Sequence, residues 1–97
     1  MRRIAKVDAF QEEAVAFCKQ IGASHQSLAQ LGGGCPDAVI GYHGRNFLFE
    51  YKSDSGILTP FQVVWHRDWK GQVTVIRNTQ DILTTLNKAM HYDCNRL

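Results

Sequence analysis

The segment that most restricts how this chain can fold is residues 36 to 52, "PDAVIGYHGRNFLFEYK". Two short apolar runs, "PDAVIGY" and "NFLFEYK", are separated only by "HGR" and read as neighbouring strands, so a tight hairpin is the natural connection. If His43 and Gly44 form a two-residue loop, with glycine accepting positive φ, the numbers of opposed residues add to 87. Asp37 then lies directly across from Glu50, with the two Cβ atoms about 4.5–5.5 Å apart on one face. Lys52 follows by two and shares that face. Phe47, Phe49 and Tyr51 take the opposite face and belong in the core. A two-residue slip of register keeps the charged cluster together, and a one-residue slip scatters it.

Three charges inside strand-like runs need solvent or partners. Two carboxylates this close repel by roughly 4 kcal/mol at an effective dielectric of 20. A shared proton relieves that, as does Lys52 acting as counter-ion, as does a divalent cation. Hard oxygen donors of this kind suit Mg2+ or Mn2+. Geometry alone leaves two readings open: a surface ion triad across a hairpin, and a cation site with an ammonium beside it.

Elsewhere the order of elements follows from caps and periodicity. Asp8 reads as a helix N-cap, with Gln11 in capping-box register and Gly22 closing the helix. Phe10, Ala14, Phe17 and Ile21 form one apolar stripe, opposite Glu12. Glu13 falls roughly 60° from Phe10, on the border of that stripe. A carboxylate there points toward the rest of the protein, either as a snorkelling edge residue or with a role. "SHQSLAQL" is weakly strand-like and ends at "GGG". A second helix opens at Thr59-Pro60, where Gln62 completes a capping box. Phe61, Trp65 and Trp69 give that helix an apolar edge, and Gly71 ends it. "QVTVIR" is a β-branched strand. Asn78 or Thr79 caps a last helix with Ile82, Leu83, Leu86, Ala89 and Met90 on its apolar side, and the residues after His91 read as a loose tail. The predicted fold is α/β, with a mixed sheet flanked by helices: the hairpin is antiparallel, and the crossover through the second helix permits a parallel neighbour.

With 97 residues the chain is expected to be one domain, residues 1–97, with its core over roughly 8–90. No apolar run approaches the roughly 20 residues of a membrane span, and the start "MRRIAKVDAFQEE" lacks the apolar stretch of a signal peptide, so a cytoplasmic location is expected. Cys18, Cys35 and Cys94 are scattered and unpaired in spacing, which supports neither a disulfide scaffold nor a structural zinc site. Isolated Cys and His are usually ordinary residues, so Cys35, His43, His66 and His91 are not assigned to a metal. A net charge of +2 is compatible with nucleic acid and too weak to argue for it alone.

The stretch from Pro36-Asp37 to Glu50-Tyr51-Lys52 resembles the PD-(D/E)XK nuclease motif. Its continuation, "GILTPFQVVWHRDWKGQVTVIRNTQDIL", is similar to the stand-alone, virus-type replication-repair (VRR-NUC) branch of that superfamily, in which a Leu-Thr/Ser…Gln helix and a "V.V.R" strand follow the lysine. The similarity covers roughly residues 8 to 83. It implies a restriction-endonuclease-like αβββαβ core and metal-dependent cleavage of DNA in replication, repair or recombination. Small stand-alone domains of this type look phage-like. By the same resemblance Asp37 and Glu50 would bind Mg2+ or Mn2+, with the backbone carbonyl of Tyr51 and with Glu13. Lys52 would be the catalytic lysine, and Gln62 would lie beside the site. Related domains act as homodimers, some on branched DNA such as Holliday junctions. Arg45, Arg67, Lys70 and the Arg2-Arg3-Lys6 arm are the candidates for phosphate contact. The rival reading is a non-catalytic module that keeps the fold and binds DNA or a protein.

Overall fold

A computed structural model describes the backbone of residues 2–96 and the side chains of residues 9–90. The order is α1 (Arg2–Gln20), β1 (Ser24–Ser27), β2 (Ala38–Tyr42), β3 (Arg45–Tyr51), α2 (Pro60–Asp68), β4 (Thr74–Ile76) and α3 (Thr79–Arg96). The four strands form one sheet in the order β1-β2-β3-β4. β1, β2 and β3 run antiparallel in succession, and β4 joins β3 in parallel after the α2 crossover. This is the mixed α/β sheet with flanking helices that the element order predicts.

The hairpin has the predicted register. Ala38 pairs with Phe49, Ile40 with Phe47 and Tyr42 with Arg45. Its turn is His43-Gly44, both at positive φ (51° and 78°), as the first-choice two-residue turns of twisted strands require.

One face of the sheet forms the core. Ala38, Ile40, Phe47, Phe49, Tyr51 and Ile76 are buried there against Ala14 and Cys18 of α1 and Ile82 and Leu86 of α3. Phe10, Phe17 and Ile21 pack at the edge of that cluster. Phe10 meets the Tyr51 ring edge-on, with ring centroids 5.5 Å apart. A hydroxyl inside this layer needs a partner: the Tyr51 hydroxyl and His25 Nε2 are 2.8 Å apart, which ties β1 to β3.

Several boundaries differ from the sequence reading. α1 begins at Arg2, so Asp8 lies within the helix instead of capping it. Residues 2–8 contain no glycine or proline, and Arg, Ala and Lys propagate a helix readily. The helix ends as expected in a Schellman pair, with Gly22 N–H donating to Lys19 O and Ala23 N–H to Cys18 O. β1 stops at Ser27, because Leu28 turns back and Leu31 N–H donates to Leu28 O. α3 starts after Asn78, whose Oδ1 accepts from Asp81 N–H, and continues to Arg96 where a loose tail was expected. α2 ends at Asp68, earlier than Gly71, and buries none of its residues. Among the described residues no helix is long and apolar enough to cross a membrane.

Candidate active site

The face of β3 opposite the core carries Glu50, by the two-residue alternation of a strand. There the side chain is almost completely buried, at 1% exposure. α2 covers it, and three local features bring the helix into place. Thr59 accepts from Gln62 N–H, while Gln62 Oε1 accepts from Thr59 N–H, so the predicted capping box is complete and fixes the first turn. Gly34 lets the preceding loop pass directly under that turn: a Cβ at this residue would stand 2.5 Å from the Phe61 carbonyl oxygen, and its φ is +87°. Arg77, the arginine of "VTVIR", donates from one guanidinium nitrogen to the carbonyls of Ser53, Asp54 and Gly56 and so anchors the link from Lys52 to α2.

Gln62 is therefore bifunctional. Its Oε1 holds the cap, and its Nε2 donates to Glu50 Oε2 at 3.1 Å. His66, one turn further along, brings Nε2 to 3.5 Å from Glu50 Oε1. Neither Glu50 Oε1 nor His66 Nε2 has a hydrogen-bond partner among the described residues.

Asp37 lies half-buried at the mouth of the hairpin. Its N–H donates to Phe49 O, and its Oδ2 accepts from Tyr51 N–H at 2.7 Å. The carboxylate thus takes a backbone donor of β3, locking it beside Glu50. Burial first, and then the neighbouring Asp37 carboxylate, push the Glu50 carboxyl from 4.5 up to about 8, against the opposing pull of the Lys52 charge. The three residues that the sequence pairs on one face thus act on one another. Lys52 is held by its N–H donating to Ile76 O, and its side chain is half-exposed. The His66 imidazole is held below its ordinary value by burial and by the Lys52 charge.

The remaining candidates sit as follows. Glu13 is exposed on α1, one turn beyond Phe10, and makes no hydrogen bond or ion pair among the described residues. Arg45 begins β3, about 17 Å along the strand from Glu50 at roughly 3.4 Å per residue. Arg67 is paired with Asp68 at 2.8 Å on the surface of α2, so part of its charge is already met. Lys70 is exposed just past α2. The side chains of Arg2, Arg3 and Lys6 lie outside the described residues.

Sequence reasoning set His66 aside. Its signal was the spacing Gln62-x-x-x-His66, which puts both side chains on one helix face. Among the described residues no three His, Cys, Asp or Glu side chains converge into a preformed metal cluster. The orphaned oxygen of Glu50, a carboxyl that feels the charge of Asp37, nevertheless fits a divalent ion of the kind that keeps several waters and takes one or two carboxylates. Set against protein-family models, curated proteins and solved structures, the chain matches none of them.

Proposed function

We propose that this chain is a metal-dependent DNA endonuclease of the PD-(D/E)XK, VRR-NUC-like type that hydrolyses phosphodiester bonds. The observation that supports this most is the meeting of Asp37, Glu50 and Lys52 on one side of the hairpin, with a buried carboxylate oxygen left unpartnered. Asp37 and Glu50, with the Tyr51 carbonyl as a further donor, would hold Mg2+ or Mn2+, whereas Glu13, expected from the resemblance to join them, does not converge with them among the described residues. The ion supplies Lewis-acid polarisation of the phosphate and lowers the pKa of water. Lys52 orients the attacking water and meets the charge that develops on the phosphate. Gln62 keeps Glu50 from rotating away, through the contact that also caps α2. Lys70, Arg67 and Arg45 supply phosphate contacts.

Among the described residues no helix reads as a base-reading element, which supports selection of the substrate by shape. Branched duplexes such as four-way junctions fit a homodimer with two sites. The setting is DNA replication, repair or recombination in the cytoplasm of a bacterial host cell.

A second reading is favoured by a different observation. Ile57, Phe61 and Trp69 are exposed around α2, Ile57 and Phe61 to 81% and 76%. Large exposed apolar groups mark interaction surfaces. On that reading the chain is a non-catalytic binding module that retains the fold.

Incubation with supercoiled, linear and four-way-junction DNA, with and without Mg2+ or Mn2+, separates the two. Metal-dependent cleavage lost in both Asp37→Ala and Lys52→Ala supports the endonuclease. Cleavage that persists in both variants overturns it, and binding without cleavage under every metal condition favours the module.

A further inference from the structure

One buried atom, His66 Nε2, has no role in the scheme above. Glu50 Oε1 and His66 Nε2 face each other at 3.5 Å, and both are sealed from solvent and unpartnered. The other Glu50 oxygen is taken by Gln62 Nε2. A separation of 3.5 Å is too long for a good hydrogen bond. Leaving a buried polar group unsatisfied costs about 1–3 kcal/mol, so a pair of them facing one another calls for an occupant. The same distance is shorter than two metal–donor bonds of about 2.1 Å laid end to end. The two atoms are therefore spaced as neighbouring donors on one ion are.

The geometry points to His66 as a nitrogen donor to an ion shared with Glu50, in a site that prefers borderline divalent ions of the zinc type over Mg2+. The inference rests on reading the acidic cluster as a cation site, and it adds both a ligand and a metal preference to that reading. Imidazole nitrogen suits zinc-class ions, whereas Mg2+ favours oxygen donors and retains its waters. The arrangement is built on one helix face. Gln62 holds one carboxylate oxygen and leaves the other aimed at His66, four residues on.

The test uses the full chain, stripped of metal and labelled with 15N, titrated with Zn2+ and separately with Mg2+. The 15N resonance of His66 Nε2, assigned by through-bond correlation to its own backbone amide in a doubly 13C,15N-labelled sample, should move to the position of a coordinated nitrogen by one equivalent of zinc. That reading comes from the wild-type chain and does not depend on how the variant folds. Calorimetric affinity for Zn2+ should fall about tenfold or more in His66→Phe, since even groups one shell out cost 10–100-fold when removed. Affinity for Mg2+ should change by less than about twofold.

A His66 Nε2 resonance that stays unshifted at one equivalent of zinc overturns the proposal. So does an unchanged zinc affinity in a folded His66→Phe. Failure here is separable from failure of the endonuclease reading. Mg2+-dependent DNA cleavage with an unshifted His66 leaves that reading intact, whereas a zinc-bound His66 with no cleavage of any DNA removes it and keeps the site.

Discussion

Glu50 should make the metal-free protein less stable as pH rises across neutrality. Burial and Asp37 raise its folded-state carboxyl to about 8 from a reference value of 4.5, so the folded form keeps a proton that the unfolded chain has released. Stability from this group is fully present below pH 4.5 and is lost as pH climbs through 8. Below 6.5 the lowered values of His25 and His66 act in the opposite sense, because protonating either favours the unfolded chain. The clean window is therefore pH 6.5 to 8. At 1.36 kcal/mol per pH unit, Glu50 alone removes about 2 kcal/mol across that window. For a domain of this size that corresponds to roughly 10 °C in Tm. The assay is urea unfolding at fixed ionic strength with chelator present, on the wild type and on Glu50→Gln. The amide keeps an oxygen for Gln62 Nε2 and carries no charge, so its stability should be nearly flat from pH 6.5 to 8. A wild type as flat as the variant, or a variant with the same slope, would refute the argument that a carboxylate is trapped under α2.

Other outcomes follow from single contacts. Gly34→Ala should cost about 1–3 kcal/mol in urea unfolding, since the new Cβ meets the Phe61 carbonyl and φ stays positive. Gln62→Leu strands both Glu50 Oε2 and Thr59 N–H, and about 2–4 kcal/mol should be lost by the same measurement. In Arg77→Ala three carbonyls of the loop after Lys52 lose a charged donor. Hydrogen exchange of the Gly56 amide should accelerate there, while amides in the middle of β3 stay protected.

What could be read in advance divides by the range of the interaction. The β2–β3 register was legible because two residues of turn leave one pairing, and that pairing sets Asp37 across from Glu50 at the end of the ladder. The start of α2 was legible for a similar local reason, since Thr59, Pro60 and Gln62 carry its cap within four residues. The start of α1 was misread because a good cap at Asp8 says nothing about whether the preceding residues also favour helix. Longer-range facts left no such trace. That Asp37 accepts from the Tyr51 amide, and that α2 closes over Glu50 with His66 turned inward, depend on how elements meet. The Gly-rich stretch and the "VTVIR" arginine are readable in hindsight: one permits the close approach under α2, the other holds the loop that leads into it.

The most direct test of the central claim is the single-turnover cleavage rate of a four-way junction in Mg2+, for wild type and Lys52→Ala, with junction affinity measured in parallel. The site described here predicts a rate lower by about 10²–10³-fold in the variant, the scale of losing one preorganised charge-stabilising group, while affinity stays within about threefold. Equal rates for the two proteins, or an affinity loss that accounts for the whole rate difference, would contradict a catalytic role for the lysine beside Asp37 and Glu50.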